Sequence, residues 1–181
     1  MAIDRERVTR LFDALGTALK QDTTLCLIGS TPAIFLGQNA RQTQDVDVWH
    51  PASIYDAGDL SQACVAAGLL FDPTGELSPD AVYLQIVRPG IVSLPAKLDP
   101  EMISTFGRLK LVMPLPAIIA AAKLSRGSER DLEDVAWWIS HRALGLEAVI
   151  FAIETLPRKS DRETASENAV LVRLVAAGDR A

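Results

Sequence analysis

Residues 25–49 read LCLIGSTPAIFLGQNARQTQDVDVW, and the order of features along them decides the fold class. Thr24 to Ile28 is an apolar run of strand length that Gly29-Ser30-Thr31 breaks, and Pro32 suits the first turn of a helix running through Ala33-Ile34-Phe35-Leu36 to Gly37. Gln44 to Trp49 then alternates polar and apolar side chains. As a strand it carries Asp45 and Asp47 on one face and Val46 and Val48 on the other, and Pro51 closes it. Strand, tight turn, helix and strand in this order predict an α/β fold of the α+β kind, a mixed central sheet flanked by helices.

Working outward, Val8, Leu11, Phe12, Leu15 and Leu19 recur at helical spacing and predict an opening amphipathic helix. Asp56 to Leu70 reads as a third helix, with Gly68 near its end. Val82 to Val87 and Ile91 to Leu94 flank Arg88-Pro89-Gly90 and read as two strands about a turn; Leu109 to Val112 is a further short strand. From Pro116 the pattern is helical: 116–125, 129–140, 146–155 and 160–177. The expected organisation is an α/β core over residues 1–113 and a helical C-terminal part over 114–181, packed on that core.

The chain has 181 residues, about the size of one domain, with 49% apolar and 23% charged residues, a composition that supports a packed core. Acidic residues outnumber basic ones 23 to 18, so any nucleic-acid contact has to be local. Two cysteines, Cys26 and Cys64, in apolar stretches make no disulfide framework. The charged opening MAIDRERVTR lacks the apolar centre of a signal peptide, and the cytoplasm is the expected compartment. The most apolar stretch, Leu109 to Leu124, is interrupted by Lys110, Pro114, Pro116 and Lys123 and is shorter than the roughly 20 residues of a membrane helix, so no membrane association is expected. His50, His141 and the cysteines lack zinc spacing and read as structural.

Two carboxylates one residue apart on a strand can hold a divalent cation between them and a phosphate chain. Asp45 and Asp47 have that spacing, though solvated acids on an exposed edge strand have it too. The Gly29-Ser30 turn between a strand and a helix offers backbone N–H groups to an anion, and also fits a plain helix start with Ser30 or Thr31 as its cap. Trp137 and Trp138 read as one core contact and one at a packing or subunit interface.

Residues 25–49 resemble the nucleotidyltransferases of the DNA polymerase beta superfamily, in which an apolar strand, Gly-Gly or Gly-Ser, a short helix and Arg-x-Thr-x-Asp-x-Asp follow one another. Residues 114–139, PLPAIIAAAKLSRGSERDLEDVAWWI, are similar to the later motif of the AbiEii toxin-like branch, a helix bearing a lysine followed by Arg-Asp and a second aspartate on the next helix. The two stretches cover under a third of the chain. The resemblance implies that Gly29, Ser30, Arg41 and Thr43 bind a nucleotide, that Asp45 and Asp47 ligate Mg2+, and that Lys123 and Asp131 complete the catalytic set, with Asp134 an alternative to Asp131. It implies transfer of a nucleoside monophosphate from a nucleoside triphosphate to an acceptor hydroxyl. It implies an acceptor that is transfer RNA, a protein or a small molecule, and, because that branch includes toxins of toxin-antitoxin pairs, an antitoxin protein as an expected partner. Many members place a third carboxylate on a later central strand, where this chain offers Gln85, which cannot act as a base. A catalytically impaired protein of the same fold, binding a nucleotide or a protein partner, is the alternative.

Overall fold

The alternation in DVDVW and YLQIV governs the sheet: Val46, Val48, Leu84 and Ile86 are buried to within 1% of full coverage, while Asp45, Asp47, Tyr83 and Gln85 on the opposite face stay half-exposed. The structure is a computed structural model and describes residues 4–178, with side chains described as far as Val172. Among the described residues the chain forms seven α-helices and six strands in two three-stranded sheets, a mixed α/β architecture. Two compact units divide it. The first runs to Arg88 and resumes over Leu98–Pro114; the second comprises Pro89–Lys97 and the chain from Leu115 onward.

In the first unit, β1 (Thr23–Cys26) pairs in parallel with β6 (Leu109–Met113), and β5 (Glu101–Phe106) pairs antiparallel with β6. β2 (Asp45–Trp49) and β3 (Leu70–Phe71) both pair in parallel with β4 (Tyr83–Val87). An antiparallel bridge between Leu27 and Val48, with Ile28 N–H donating to the Asp47 carbonyl at 2.9 Å, links the end of β1 to β2. Three helices belong to this unit, α1 (Arg5–Ala18), α2 (Thr31–Phe35) and α3 (Ala57–Ala66). Asp4 caps α1 by accepting from Arg7 N–H at 2.8 Å, and Val8, Leu11, Phe12 and Leu15 bury its apolar face. α1 has no glycine stop. Instead the Asp59 carboxylate of α3 accepts from Lys20 and Gln21 N–H, each at 3.0 Å, which satisfies the backbone beyond α1 and ties the two helices together.

The second unit holds α4 (Pro116–Leu124), α5 (Glu129–His141), α6 (Leu146–Glu154) and α7 (Lys159–Gly178). Ala120, Ala121 and Leu124 of α4 pack with Val135 of α5, Val149, Ala152 and Ile153 of α6, and Ala165 and Ala169 of α7. The small side chains on α4 and α7 permit close packing, and Asn168 Nδ2 donates to the Leu124 carbonyl at 2.8 Å, satisfying an otherwise orphan acceptor at the end of α4. Trp138 is fully buried, and Trp137 stacks on His141 with ring centroids 5.1 Å apart.

The expected strand over Ile91 to Leu94 is not formed. Pro89 has no N–H to donate, Gly90 turns the chain at φ 95°, and the segment makes only the Pro89–Val92 bridge before Pro95. Conversely, β3 and β5 were not anticipated. β5 turns into β6 through Gly107-Arg108, with Gly107 at φ 53°, a two-residue hairpin loop. No described helix is long and apolar enough to cross a membrane.

Gly16 of α1 is where helix and hairpin meet. A Cβ there would lie 1.9 Å from the Phe106 carbonyl oxygen, which is backbone and cannot swing aside. Gly16→Ala is expected to destabilise the first unit by about 1–3 kcal/mol through overpacking, read as a fall in the denaturant midpoint at unchanged m-value.

Candidate active site

The turn after β1 and the acids of β2 converge at one point. Gly29 sits at φ 69°, a left-handed conformation that a side chain adopts only with strain. A Cβ on it would come 2.5 Å from Asp47 Oδ2, so the absent side chain is what lets the carboxylate lie against the turn. Arg41 closes the same corner. Its Nη2 and Nε donate to Ser30 Oγ at 3.0 and 3.3 Å. Thr43 Oγ1 donates to Asp45 Oδ1, and Thr31 Oγ1 donates to the Asp45 carbonyl at 3.2 Å. The six residues that the sequence singles out in this half, Gly29, Ser30, Arg41, Thr43, Asp45 and Asp47, are thus joined by direct contacts, and all are half-exposed. The geometry carries one guanidinium and two carboxylates on an accessible face above a fully apolar one.

α2 is five residues long, and Ser30 precedes it without a side-chain cap bond. A helix of that length adds little macrodipole. An anion at this turn would therefore be met by the Gly29-Ser30 backbone and by Arg41 rather than by a helix dipole. Among the described residues no group of three metal-ligating side chains occurs. Two carboxylates still suit Mg2+, which is commonly held by one or two carboxylates together with substrate phosphates rather than by a full protein cage.

β4 completes the face. Its register sets Tyr83 beside Asp45 and Gln85 beside Asp47. Burial pushes the Tyr83 hydroxyl above its ordinary range, and the charges of Asp45 and Asp47 push it further the same way. Tyr83 is therefore a protonated donor beside two acids, a residue that the motif reading overlooks although its alternation with Gln85 in YLQIV is visible. Gln85 Nε2 donates to Asp72 Oδ1 at 2.9 Å.

Lys123, Asp131 and Asp134 come together within the second unit, where their residues are 2%, 5% and 0% exposed. Lys123 Nζ lies 2.6 Å from Asp134 Oδ2 and 3.6 Å from Asp131 Oδ1. Asp131 also accepts from Arg126 Nη2 at 2.5 Å and from Ser128 Oγ at 2.7 Å. Both acids thus engage the lysine, Asp134 more closely. Burial pushes the Asp131 carboxyl up, but the bonds from Arg126 and Ser128 and the charges of Arg126 and Lys123 outweigh it and hold the group below the usual carboxylate range. Cys26 and Cys64 are free, and burial pushes both thiols up to about 12, which leaves them protonated and inert near neutrality.

Comparison with family models, with curated proteins and with solved structures returned no match.

The charge cluster predicts two outcomes. Lys123→Ala leaves two buried carboxylates without their ammonium and is expected to cost about 3–5 kcal/mol, measured by chemical denaturation. For Asp131 the folded-state value is depressed, so its stabilisation is full above the unfolded carboxylate range, near pH 4, and is lost as pH falls through the lower folded value. The difference in melting temperature between native protein and Asp131→Asn is therefore expected to be widest near neutrality and to shrink below about pH 4; a difference that widens with acid contradicts this.

Proposed function

We propose that the chain is a metal-dependent nucleotidyltransferase with the nucleotidyltransferase fold, its nucleotide held on the face of β2 and β4. The observation that carries this reading is the seating of the Asp47 carboxylate against Gly29, which unites a left-handed glycine turn with a pair of metal-competent acids. Arg41, which donates to Ser30 at that turn, would contact phosphate there. Thr43 holds Asp45 through its hydroxyl, which orients the carboxylate. Asp45 and Asp47 would hold Mg2+. When bound, the ion neutralises charge developing on the phosphates. The acceptor hydroxyl forms a new bond to the α-phosphorus, the α–β anhydride breaks, and pyrophosphate leaves. The hydroxyl proton has no carboxylate base at position 85, so it passes to solvent, and positioning supplies most of the rate.

The phosphate role of Lys123 and the acid role of Asp131 belong to the same proposal, as do an RNA, protein or small-molecule acceptor and an antitoxin partner. A second reading, a nucleotide-binding protein without turnover, is favoured by one observation: the amide of Gln85, already bonded to Asp72, can take no proton.

Thermal shift with each nucleoside triphosphate tests the site, because a ligand of the folded state raises its stability. Stabilisation is expected only with Mg2+ present, and Asp47→Asn is expected to abolish it without altering the unliganded melt. Equal shifts in native and variant proteins would remove the metal site. Labelled nucleoside triphosphates incubated with the protein and cell extract then separate the two readings: a labelled acceptor marks the enzyme, and binding without label marks the turnover-free protein.

A further inference from the structure

Asp47 on β2, Gln85 on β4 and Asp72, the residue after β3, form a row. Asp47 pairs with Gln85, and β3 pairs Leu70 with Tyr83 and Phe71 with Leu84, so Asp72 falls beside Gln85 on the other side. Asp72 has left the strand conformation, at φ 40°, a region where aspartate is tolerated better than most residues. Its N–H still donates to the Leu84 carbonyl at 2.7 Å, as the parallel ladder requires. The next ladder bond is made by its side chain: Ile86 N–H donates to Asp72 Oδ1 at 3.0 Å. Oδ1 also accepts from Gln85 Nε2, while Oδ2 accepts from Arg88 Nη2 at 3.1 Å.

A carboxylate only accepts hydrogen bonds, so it determines which way the neighbouring amide turns. With Nε2 drawn to Asp72, just beyond β3, the oxygen is the end of the Gln85 amide left for the side of Asp47, its register partner on β2. We infer that Asp72 is a positioning residue for the nucleotide site: it locks the Gln85 amide so that a neutral oxygen, not an N–H group, stands on the side of Asp47 as a further ligand to the divalent cation or an acceptor for its water. This inference rests on the proposed cation and nucleotide site. It gives Asp72, which lies in a loop-like stretch and touches neither acid of the pair, a role through Gln85, and it assigns Gln85 a use that needs no proton transfer. A glutamate at 85 would face the Asp72 carboxylate at the present 2.9 Å, so simple restoration of an acid there brings two like charges together.

The test is Mn2+ binding, followed by the loss of the free-ion electron paramagnetic resonance signal, on the full chain and on folded variants checked by circular dichroism. Gln85→Met and Asp72→Ala are both expected to weaken Mn2+ about tenfold or more, the usual scale for loss of an orienting partner. Asp72→Asn keeps an oxygen for Gln85 and Ile86 and is expected to bind as the native protein does, a rescue that a role in charge alone would not give. Native affinity in Gln85→Met or in Asp72→Ala overturns the inference. Should Asp72→Ala fail to fold, Gln85→Glu is compared with Asp72→Asn/Gln85→Glu: severalfold tighter Mn2+ in the double variant supports control by Asp72, and equal affinity overturns it. Asp47→Asn separates the two levels. If it abolishes binding while Gln85→Met does not, only the role of Asp72 and Gln85 falls. If the native protein takes up no Mn2+, alone or with any nucleoside triphosphate, the nucleotide site itself falls.

Discussion

The in-register parallel pairing of β2 with β4 is the constraint on which the rest of the first unit depends. Side chains alternate across a strand, so the pairing that sends Val46, Val48, Leu84 and Ile86 into the core necessarily sends Asp45, Asp47, Tyr83 and Gln85 to the other face. A slip of one residue would bury two carboxylates and expose two valines. The hydrophobic effect thus sets the geometry of the polar face, at roughly 1.5–3 kcal/mol for each fully buried aliphatic side chain. Everything chemical about the site follows from a register that apolar packing enforces.

The second unit solves a different problem with charge. Its helix contacts are lined by alanines, and an ammonium from α4 is enclosed by two carboxylates of α5. Burying such groups is weak evidence for stability, because an apolar replacement of similar volume is often neutral or better. Removal of one partner is costly all the same, since the others stay behind without compensation. The cluster therefore fixes how α4 and α5 meet more than how strongly, and Arg126 and Ser128 complete the acceptor needs of Asp131.

Much of this was legible from local pattern, and what was not has a common cause. The alternation in DVDVW revealed the shared face of Asp45 and Asp47, and Pro32 and Gly29 marked the turn and the helix after it. The helix expected at Pro32 forms over Thr31–Phe35, and at five residues its dipole would add little for an anion, which leaves that part to the backbone turn and Arg41. β5 was missed because Glu101 to Phe106 alternates weakly, although Gly107-Arg108 was an available hairpin signal. Spacing puts Tyr83 and Gln85 on one face, but it gives neither the place of Tyr83 beside Asp45 nor that of Asp72 beside Gln85. Their relation to Asp45 and Gln85 exists only once strands distant in sequence are paired, and the parallel crossovers that pair them leave no local mark. The motif around Lys123 pointed to an acid on the next helix without choosing between Asp131 and Asp134. The structure supplies both, because positions three apart lie on one helical face.

An amide at position 85 has an electrostatic logic of its own. Neighbouring strands stand about 4.8 Å apart, and two unit charges at that distance repel by about 3 kcal/mol at an effective dielectric of 20. A carboxylate between Asp47 and Asp72 would meet that repulsion from both sides, with Arg88 engaged at the far oxygen of Asp72. Glutamine removes the charge while keeping an oxygen on the face, and Asp72 gains a donor instead of a rival. The two carboxylates of the pair then stay the only acids on β2 and β4 at this face, beside the Arg41 guanidinium. Under the proposed function the cost would be general base catalysis, which contributes typically 10²- to 10⁴-fold in enzymes that have it. Such a site would be better suited to hold a metal-bound phosphate chain than to turn it over quickly.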